Sequence, residues 1–115
     1  VVDLPRRDDA LTSELAGRCD HVVLVGACSL AGAASAMRSV GFLRSVSSSM
    51  HLVARTSGGA VAPEALAVAL DLPLLASLGV QKGLAEHLDL GLGPLHVRRG
   101  QVARAAAQVL ERLAS

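Results

Sequence analysis

Aromatic side chains are almost absent from this sequence, which has one Phe and no Trp or Tyr among 115 residues. Proteins that bind single-stranded nucleic acid stack the bases on aromatic side chains, so the composition argues against that class. The formal net charge of +1 also provides no extended positive field to attract nucleic acid or an anionic membrane. We therefore expect no nucleic-acid partner.

Lysine is nearly missing as well, because Lys82 is the single lysine among 11 basic Lys and Arg residues. Arginine and lysine differ chemically, but so strong a bias, together with abundant Ala, Val and Gly, is typical of a GC-rich genome. The composition therefore indicates a bacterial source of the actinobacterial kind.

Cysteines and long apolar runs are few. Cys19 and Cys28 have neither C-x-x-C nor metal-ligand spacing, which predicts buried thiols in a reducing compartment. No apolar run approaches the roughly 20 residues that span a bilayer, and the N-terminus does not have the pattern of a signal peptide. These absences predict a cytoplasmic protein.

Half of the residues are apolar, and short apolar runs alternate with segments of helical periodicity. This alternation is typical of βα units around a parallel sheet, which predicts a single α/β domain over residues 1–115. The opening valines predict a chain that begins within a strand of a longer protein. The predicted strands are Val1–Val2, His21–Ala27, Met50–Ala54 and Leu74–Leu78.

Capping residues and apolar spacing predict the helices between these strands. Asp8 and Asp9 precede the first helix, Ser29 precedes the second, and Pro63 suits the first turn of the third. The last helix is predicted over Gln101–Ala114. The expected apolar stripe of the second helix consists of Leu30, Ala33, Met37, Val40 and Leu43.

Ligands of open parallel sheets bind beyond the carboxyl ends of the strands. Three loops are predicted at that edge, namely Leu4–Asp9, Thr56–Ala60 and Gly79–Gly83. The sequence directs the search for a functional site to these loops.

Motifs in these loops and strands occur in the order of a known family. VVDLP resembles the family's strand that ends in D-x-P, and CDHVVLV resembles the unit that follows this strand. LDLPLLASL, GLAEHLDLG and the last helix then occur in the family's order without a gap. Over its whole length the chain resembles the C-terminal half of MinD/ParA-like deviant P-loop ATPases, of the septum-site-determining or pilus-localising branch. The resemblance implies a parallel-sheet, three-layer α/β/α fold, the C-terminal portion of a P-loop NTPase-like domain.

The resemblance also implies site residues. Asp3 corresponds to the aspartate that contacts nucleotide-bound Mg²⁺ through water, although an acid that caps the following turn is the alternative. Arg6 lies in the matching switch segment, where it would meet phosphate or a partner, and a solvated loop arginine is the equal alternative. By the same resemblance, Arg55 and Gly79 stand beside the position of the adenine base of the nucleotide. ATP and Mg²⁺ are implied only for the full-length protein.

Departures from the family pattern weaken the expectation of catalysis. The chain contains neither G-x-x-x-x-G-K-[ST] nor K-G-G-x-x-K-[ST], so it lacks the phosphate-binding loop and is not expected to hydrolyse ATP alone. Ala54 replaces an asparagine that reads adenine, and Gly79 and Gln81 replace a P-x-D element. We therefore predict a degraded adenine pocket.

The expected function is that of a MinD-like spatial regulator of bacterial septum placement. Its partners would be proteins of the division or pilus machinery and a second copy of itself, with at most peripheral contact with the inner face of the membrane. One alternative is an active ATPase for pilus localisation or chromosome partitioning. The other is a receiver-like or flavodoxin-like signalling domain, which would require a cluster of acidic residues at the strand ends, where only Asp3 lies. A zinc site at His21 and His51 would require a third ligand, Cys19 or Asp20.

Overall fold

Helices and strands alternate along the chain up to the last two helices in the computed structural model, which describes residues 1–56 and 60–114. Within those residues the strands are β1 (Val22–Ala27), β2 (Met50–Arg55) and β3 (Leu74–Leu78). The helices are α1 (Ala10–Gly17), α2 (Leu30–Leu43), α3 (Pro63–Leu70), α4 (Leu84–Asp89) and α5 (Gln101–Ala114).

The sheet contains the strands in the order β1-β2-β3, and both pairs are parallel. The register of β1 against β2 runs from Val22 opposite Met50 to Ala27 opposite Arg55. The register of β2 against β3 shifts between Leu52 and Val53. The predicted α/β class with a parallel sheet is therefore confirmed, and the carboxyl ends of all described strands lie at one edge.

The prediction of a strand at Val1–Val2 is wrong. Both valines are exposed, and the chain before α1 contains no strand in the described structure. A strand requires backbone hydrogen bonds to a neighbour, and this segment does not pair with β1. Apolar composition alone therefore misled the assignment.

The larger core lies between one face of the sheet and helices α1, α2 and α3. Leu52 and Leu66 are its largest fully buried side chains. Small residues fill the rest, since Ala16, Ala36 and Ala54 are fully buried too. This composition lets helices approach the sheet closely, as expected for a core of Ala, Val and Leu.

The second face of the sheet is covered by α5. Val53, Leu75, Ala76 and Ala105 form its buried cluster, and the Arg112 Nη1 donates a 2.8 Å hydrogen bond to the Leu74 carbonyl. Because α5 packs against β3, Val25 of β1 remains 48% exposed. None of the helices in the described part of the chain combines the length and apolar character needed to cross a membrane.

The predicted caps of the first helices are confirmed. Asp9 Oδ1 accepts a 2.8 Å hydrogen bond from Thr12 N, which lowers the pKa of the Asp9 carboxyl. Ser29 Oγ accepts one of 2.9 Å from Gly32 N. Pro63 begins α3, where its missing N–H costs no helical hydrogen bond.

The predicted apolar stripe of α2 is only partly correct. Val40 and Leu43 are buried, but Leu30 and Met37 are 79% and 55% exposed. The fully buried Ala36 takes the central place instead. A small residue permits closer approach to the sheet than a methionine does, so packing distance decided which face of α2 points inward.

Both cysteines are free thiols. Cys28 is buried, and burial raises the pKa of its thiol, which disfavours the reactive thiolate. Cys19 is half-buried and its Sγ donates to the Leu15 carbonyl over 3.3 Å. The expectation of buried thiols therefore holds for Cys28 and partly for Cys19.

Truncation of Leu66 tests the larger core. Because Leu66 is fully buried, Leu66→Ala should lower the free energy of unfolding by about 2–5 kcal/mol. Val68 lies on the same helix at 80% exposure, so Val68→Ala should change stability by less than about 0.5 kcal/mol. Urea unfolding followed by circular dichroism measures both; equal effects would contradict the packing of α3.

Candidate functional site

A cleft at the carboxyl ends of β1 and β2 includes Arg6, which comes from one of the predicted loops. It has a volume of about 300 Å³. We call it the arginine cleft, because two of its lining residues are arginines from distant parts of the sequence. It is lined by Arg6, Val25, Ala27, Gly32, Ser35 and Arg55.

Arg6 reaches this cleft from the segment before α1 and is held there by two hydrogen bonds. Its Nη1 donates to Ser35 Oγ over 3.0 Å, and its Nη2 donates to the Val25 carbonyl at the free edge of β1. The side chain is therefore oriented by α2 and β1, although the backbone around it belongs to neither a helix nor a strand.

Arg55 enters the same cleft as the last residue of β2. Its backbone carbonyl accepts a 2.9 Å hydrogen bond from Cys28 N, which fixes the end of the strand beside the start of α2. Its side chain is exposed. In the described part of the chain neither Arg6 nor Arg55 forms an ion pair with a carboxylate.

Gly32 forms part of the wall because α2 approaches β1 very closely there. A Cβ on Gly32 would overlap the Ala27 carbonyl oxygen and lie 2.8 Å from the Ala27 Cβ. The hydrogen bond of Ser29 Oγ to Gly32 N caps the helix at this point. The cleft therefore depends on a glycine in the first turn of α2.

Asp3 lies in a different cleft, the N-terminal groove between segment 2–8 and the β1 edge at residues 21–25. This groove has a volume of about 320 Å³, and Arg6 lines both it and the arginine cleft. The structure thus brings Arg6 near Asp3 on one side and near Arg55 on the other. Asp3 and Arg55 do not line a common cleft.

Gly79 lies outside both clefts. Its N–H donates to Gln101 Oε1 over 3.2 Å, so the backbone donor at this predicted site is already used within the protein. Gln81 is buried, its Oε1 accepts from Val102 N over 3.1 Å, and its Nε2 donates to the Pro94 carbonyl over 3.3 Å. These residues join the end of β3 to the start of α5.

The other predicted positions contribute little to the site. Ala54 is fully buried in the larger core and offers a methyl group only. Lys82 lines neither cleft. Of the predicted loop Thr56–Ala60, residues 57–59 lie outside the described residues. Ser35 and Gly32 were not predicted as site residues. The only signal for them in the sequence was their position in the first turns of α2.

A second polar cluster lies at the opposite edge of the sheet, where β1 and β2 begin. His21 Nδ1 and Ser49 Oγ are 2.8 Å apart, Ser49 Oγ and His51 Nε2 are 3.2 Å apart, and the two rings meet edge to face. The two histidines of the zinc-site alternative therefore lie close together. In residues 1–56 and 60–114 no three His, Cys, Asp or Glu side chains converge as metal ligands.

Comparison with known proteins places the chain beside mycobacterial sequences. It is 39% identical over 112 residues to an uncharacterized protein of Mycobacterium tuberculosis strain CDC 1551, and equally to one of strain H37Rv. The match covers 96% of this chain but spans only 31% of the length of each relative. No family model matches the chain. No solved structure matches it either.

Substitution of Gly32 tests the close approach that shapes the arginine cleft. Gly32→Ala should lower the free energy of unfolding by about 1–3 kcal/mol, because α2 must move away from Ala27. Gly41 lies in the same helix, and a Cβ added there would meet no atom within 4 Å, so Gly41→Ala should stabilise by about 0.5–1 kcal/mol. Thermal unfolding measures both variants, and an equal increase in stability for Gly32→Ala and Gly41→Ala would contradict this geometry.

The histidine cluster predicts a pH dependence of stability. Burial, and secondarily the charge of His21, lower the pKa of His51 below its ordinary value. Stability from this group is therefore complete above about pH 6.5, the unfolded pKa. It should decline as the pH falls through about 6.5 towards the lower folded pKa, because the unfolded chain binds the proton more readily.

Urea unfolding between about pH 7.5 and 5.5 checks this expectation on either side of the ordinary histidine pKa. His51→Gln should flatten the decline, whereas the exposed His96→Gln should leave it unchanged. An identical decline in the wild type and in His51→Gln would show that His51 is not its source.

Proposed function

We propose that this chain is the C-terminal part of a MinD/ParA-like, three-layer α/β/α P-loop NTPase-like domain that regulates septum placement in bacteria. The observation that carries the proposal is the edge of the parallel sheet at which Arg6 and Arg55 line one cleft. Open parallel sheets bind their ligands at this edge. The position of the two arginines agrees with the switch and nucleotide positions that the family resemblance implies.

The sheet and its coverage support the proposal. Consecutive strands are neighbours and parallel, as right-handed βα units require, and helices lie on both faces. The relatives are mycobacterial, in keeping with the actinobacterial composition. Because the chain spans 31% of their length, the activity and partners of the whole protein belong to this proposal.

The residues fit a nucleotide only in part. The buried Ala54 methyl group offers no hydrogen bond to adenine, and the Gly79 N–H is occupied by Gln101. Loss of one such hydrogen bond typically weakens binding by about tenfold. Asp3 remains an exposed carboxylate at which Mg²⁺ would bind through water. A regulator that acts through protein partners with a degraded adenine pocket therefore suits this edge better than an efficient ATPase.

Two surfaces would serve the proposed partners. The outer edge of β1 is unpaired in the described sheet, and an unpaired edge can accept a strand from a second copy. The exposed Leu30 and Met37 of α2 provide an apolar surface for a protein of the division or pilus machinery. Contact with the cytoplasmic face of the membrane would be peripheral.

The proposed cellular role predicts misplaced septa. Depletion of the protein in its bacterium should broaden the distribution of septum positions along the cell, with pilus position and chromosome content unchanged. Fluorescence microscopy of septa, pili and DNA in the same cells measures all three. Normal septa with misplaced pili or with cells that lack DNA would favour the pilus-localising or chromosome-partitioning ATPase instead.

Calorimetric titration of Mg-ATP into the protein that carries this chain with its upstream half tests the nucleotide pocket. Adenine-selective micromolar binding that Asp3→Ala weakens would contradict a degraded pocket, whereas weak binding without preference for adenine is the expected result. The control is Asp20→Ala, an exposed acid at the opposite edge of the sheet.

A further inference from the structure

The amino end of the sheet holds two histidines that the proposed function does not use. Val23 of β1 stands opposite His51 of β2. Because side chains alternate between the two faces of a strand, His21, two positions before Val23, lies on the same face as His51, and the two rings are in contact. We infer that His21 Nδ1 and His51 Nε2 together bind one divalent transition-metal ion of the Ni²⁺, Cu²⁺ or Zn²⁺ class. The inference does not depend on the proposed regulatory function.

Ser49 marks the point at which the two nitrogens converge. Its Oγ lies 2.8 Å from His21 Nδ1 and 3.2 Å from His51 Nε2. Metal–imidazole bonds are about 2.0–2.1 Å long, so an ion held by both nitrogens would lie close to the position of this oxygen. His21 is exposed, so its ring can turn towards the ion while the Ser49 hydroxyl turns away.

His51 is the more firmly held of the two ligands. Its backbone belongs to β2 and its Nδ1 is buried, so Nε2 is the nitrogen that faces Ser49. The buried Nδ1 has no hydrogen-bond partner within the residues that the structure describes. Because the second nitrogen of a metal-binding histidine is usually held by such a partner, we expect the ion to bind more weakly than in a structural zinc site.

A pair of imidazole nitrogens determines the class of metal. Imidazole suits zinc, copper and nickel ions, whereas carboxylate and carbonyl oxygens suit Mg²⁺ and Ca²⁺. Across residues 1–56 and 60–114 no third His, Cys, Asp or Glu completes a set of ligands, so water would fill the remaining positions. For the same two nitrogens the affinity should rise from Ni²⁺ to Cu²⁺ and fall again at Zn²⁺.

A second pair of histidines provides an internal comparison. The rings of His87 and His96 also meet edge to face, with centroids 5.0 Å apart, against 5.4 Å for His21 and His51. His87 Nδ1 is buried without a hydrogen-bond partner in the described part of the chain. Both pairs therefore have rings in contact, but the described hydrogen bonds direct two nitrogens to one atom only at Ser49.

Calorimetric titration of NiCl₂ into the 115-residue chain, without a histidine tag, tests the inference at about pH 7.5, where imidazole is ordinarily neutral. Wild-type protein should bind one Ni²⁺ per chain. His21→Gln and His51→Gln should each weaken the affinity at least about tenfold, because loss of even an outer hydrogen-bonding partner of a ligand costs about 10–100-fold. His96→Gln is the matched control and should bind Ni²⁺ as wild type does.

Three further variants test which groups are ligands. Cys19 and Asp20 stand directly before His21, so Cys19→Ser and Asp20→Ala examine the alternative of a third protein ligand. Both should keep the wild-type affinity, and a large loss in either would contradict a site of two imidazoles. Ser49→Ala should bind Ni²⁺ at least as tightly as wild type, because the hydroxyl is not a ligand and leaves the space between the rings.

Two results would overturn the metal site. They are the absence of Ni²⁺ binding at millimolar concentration, and equal weakening in His96→Gln and His51→Gln. An ion that binds only the folded chain raises its stability, so thermal unfolding with and without NiCl₂ provides a second readout. Circular dichroism establishes that each variant is folded. Because His51 is partly buried, the exposed His21 provides the decisive comparison if His51→Gln is unstable.

Discussion

Helix α2 lies against β1 at a distance that a glycine at position 32 and an alanine at position 36 allow, and the functional edge of the molecule depends on this contact. A Cβ at Gly32 would overlap the Ala27 carbonyl, and Ala36 is fully buried against the sheet. The same contact places Ser35 beside Arg6 and holds Cys28 in the core. Close packing of small side chains is thus the condition for the cleft.

The polar groups at the carboxyl ends of the strands divide into two kinds. Near β3 they are used within the protein, where Gln81 and Gln101 attach α5 to the sheet. Near β1 and β2 the two guanidinium groups have no carboxylate in the described structure to neutralise them. A buried hydrogen-bonded amide stabilises the fold, whereas an uncompensated charge in a cleft favours an anionic ligand.

Two of the predicted site residues were brought together, and only the tertiary fold could do so because they are far apart in sequence. Arg6 and Arg55 stand 49 positions apart in the chain (55 minus 6). The parallel pairing of β1 and β2, and the packing of the N-terminal segment beside β1, bring both residues to one cleft. Asp3 faces another groove, and Gly79 is bonded to Gln101. The missing strand at Val1–Val2 has the same origin, because pairing depends on a neighbour that local apolarity cannot reveal.

The sequence by itself determined the succession of the three strands along the chain, the caps at Asp9 and Ser29, and the limits of α5, because these follow from local periodicity and local hydrogen bonding. Only the tertiary structure decided which face of α2 is buried and that Gln81 serves α5. It alone placed both arginines, with Ser35, in one cleft. Those outcomes depend on the distance between a helix and a sheet and on contacts between residues far apart in the chain, which no local pattern specifies.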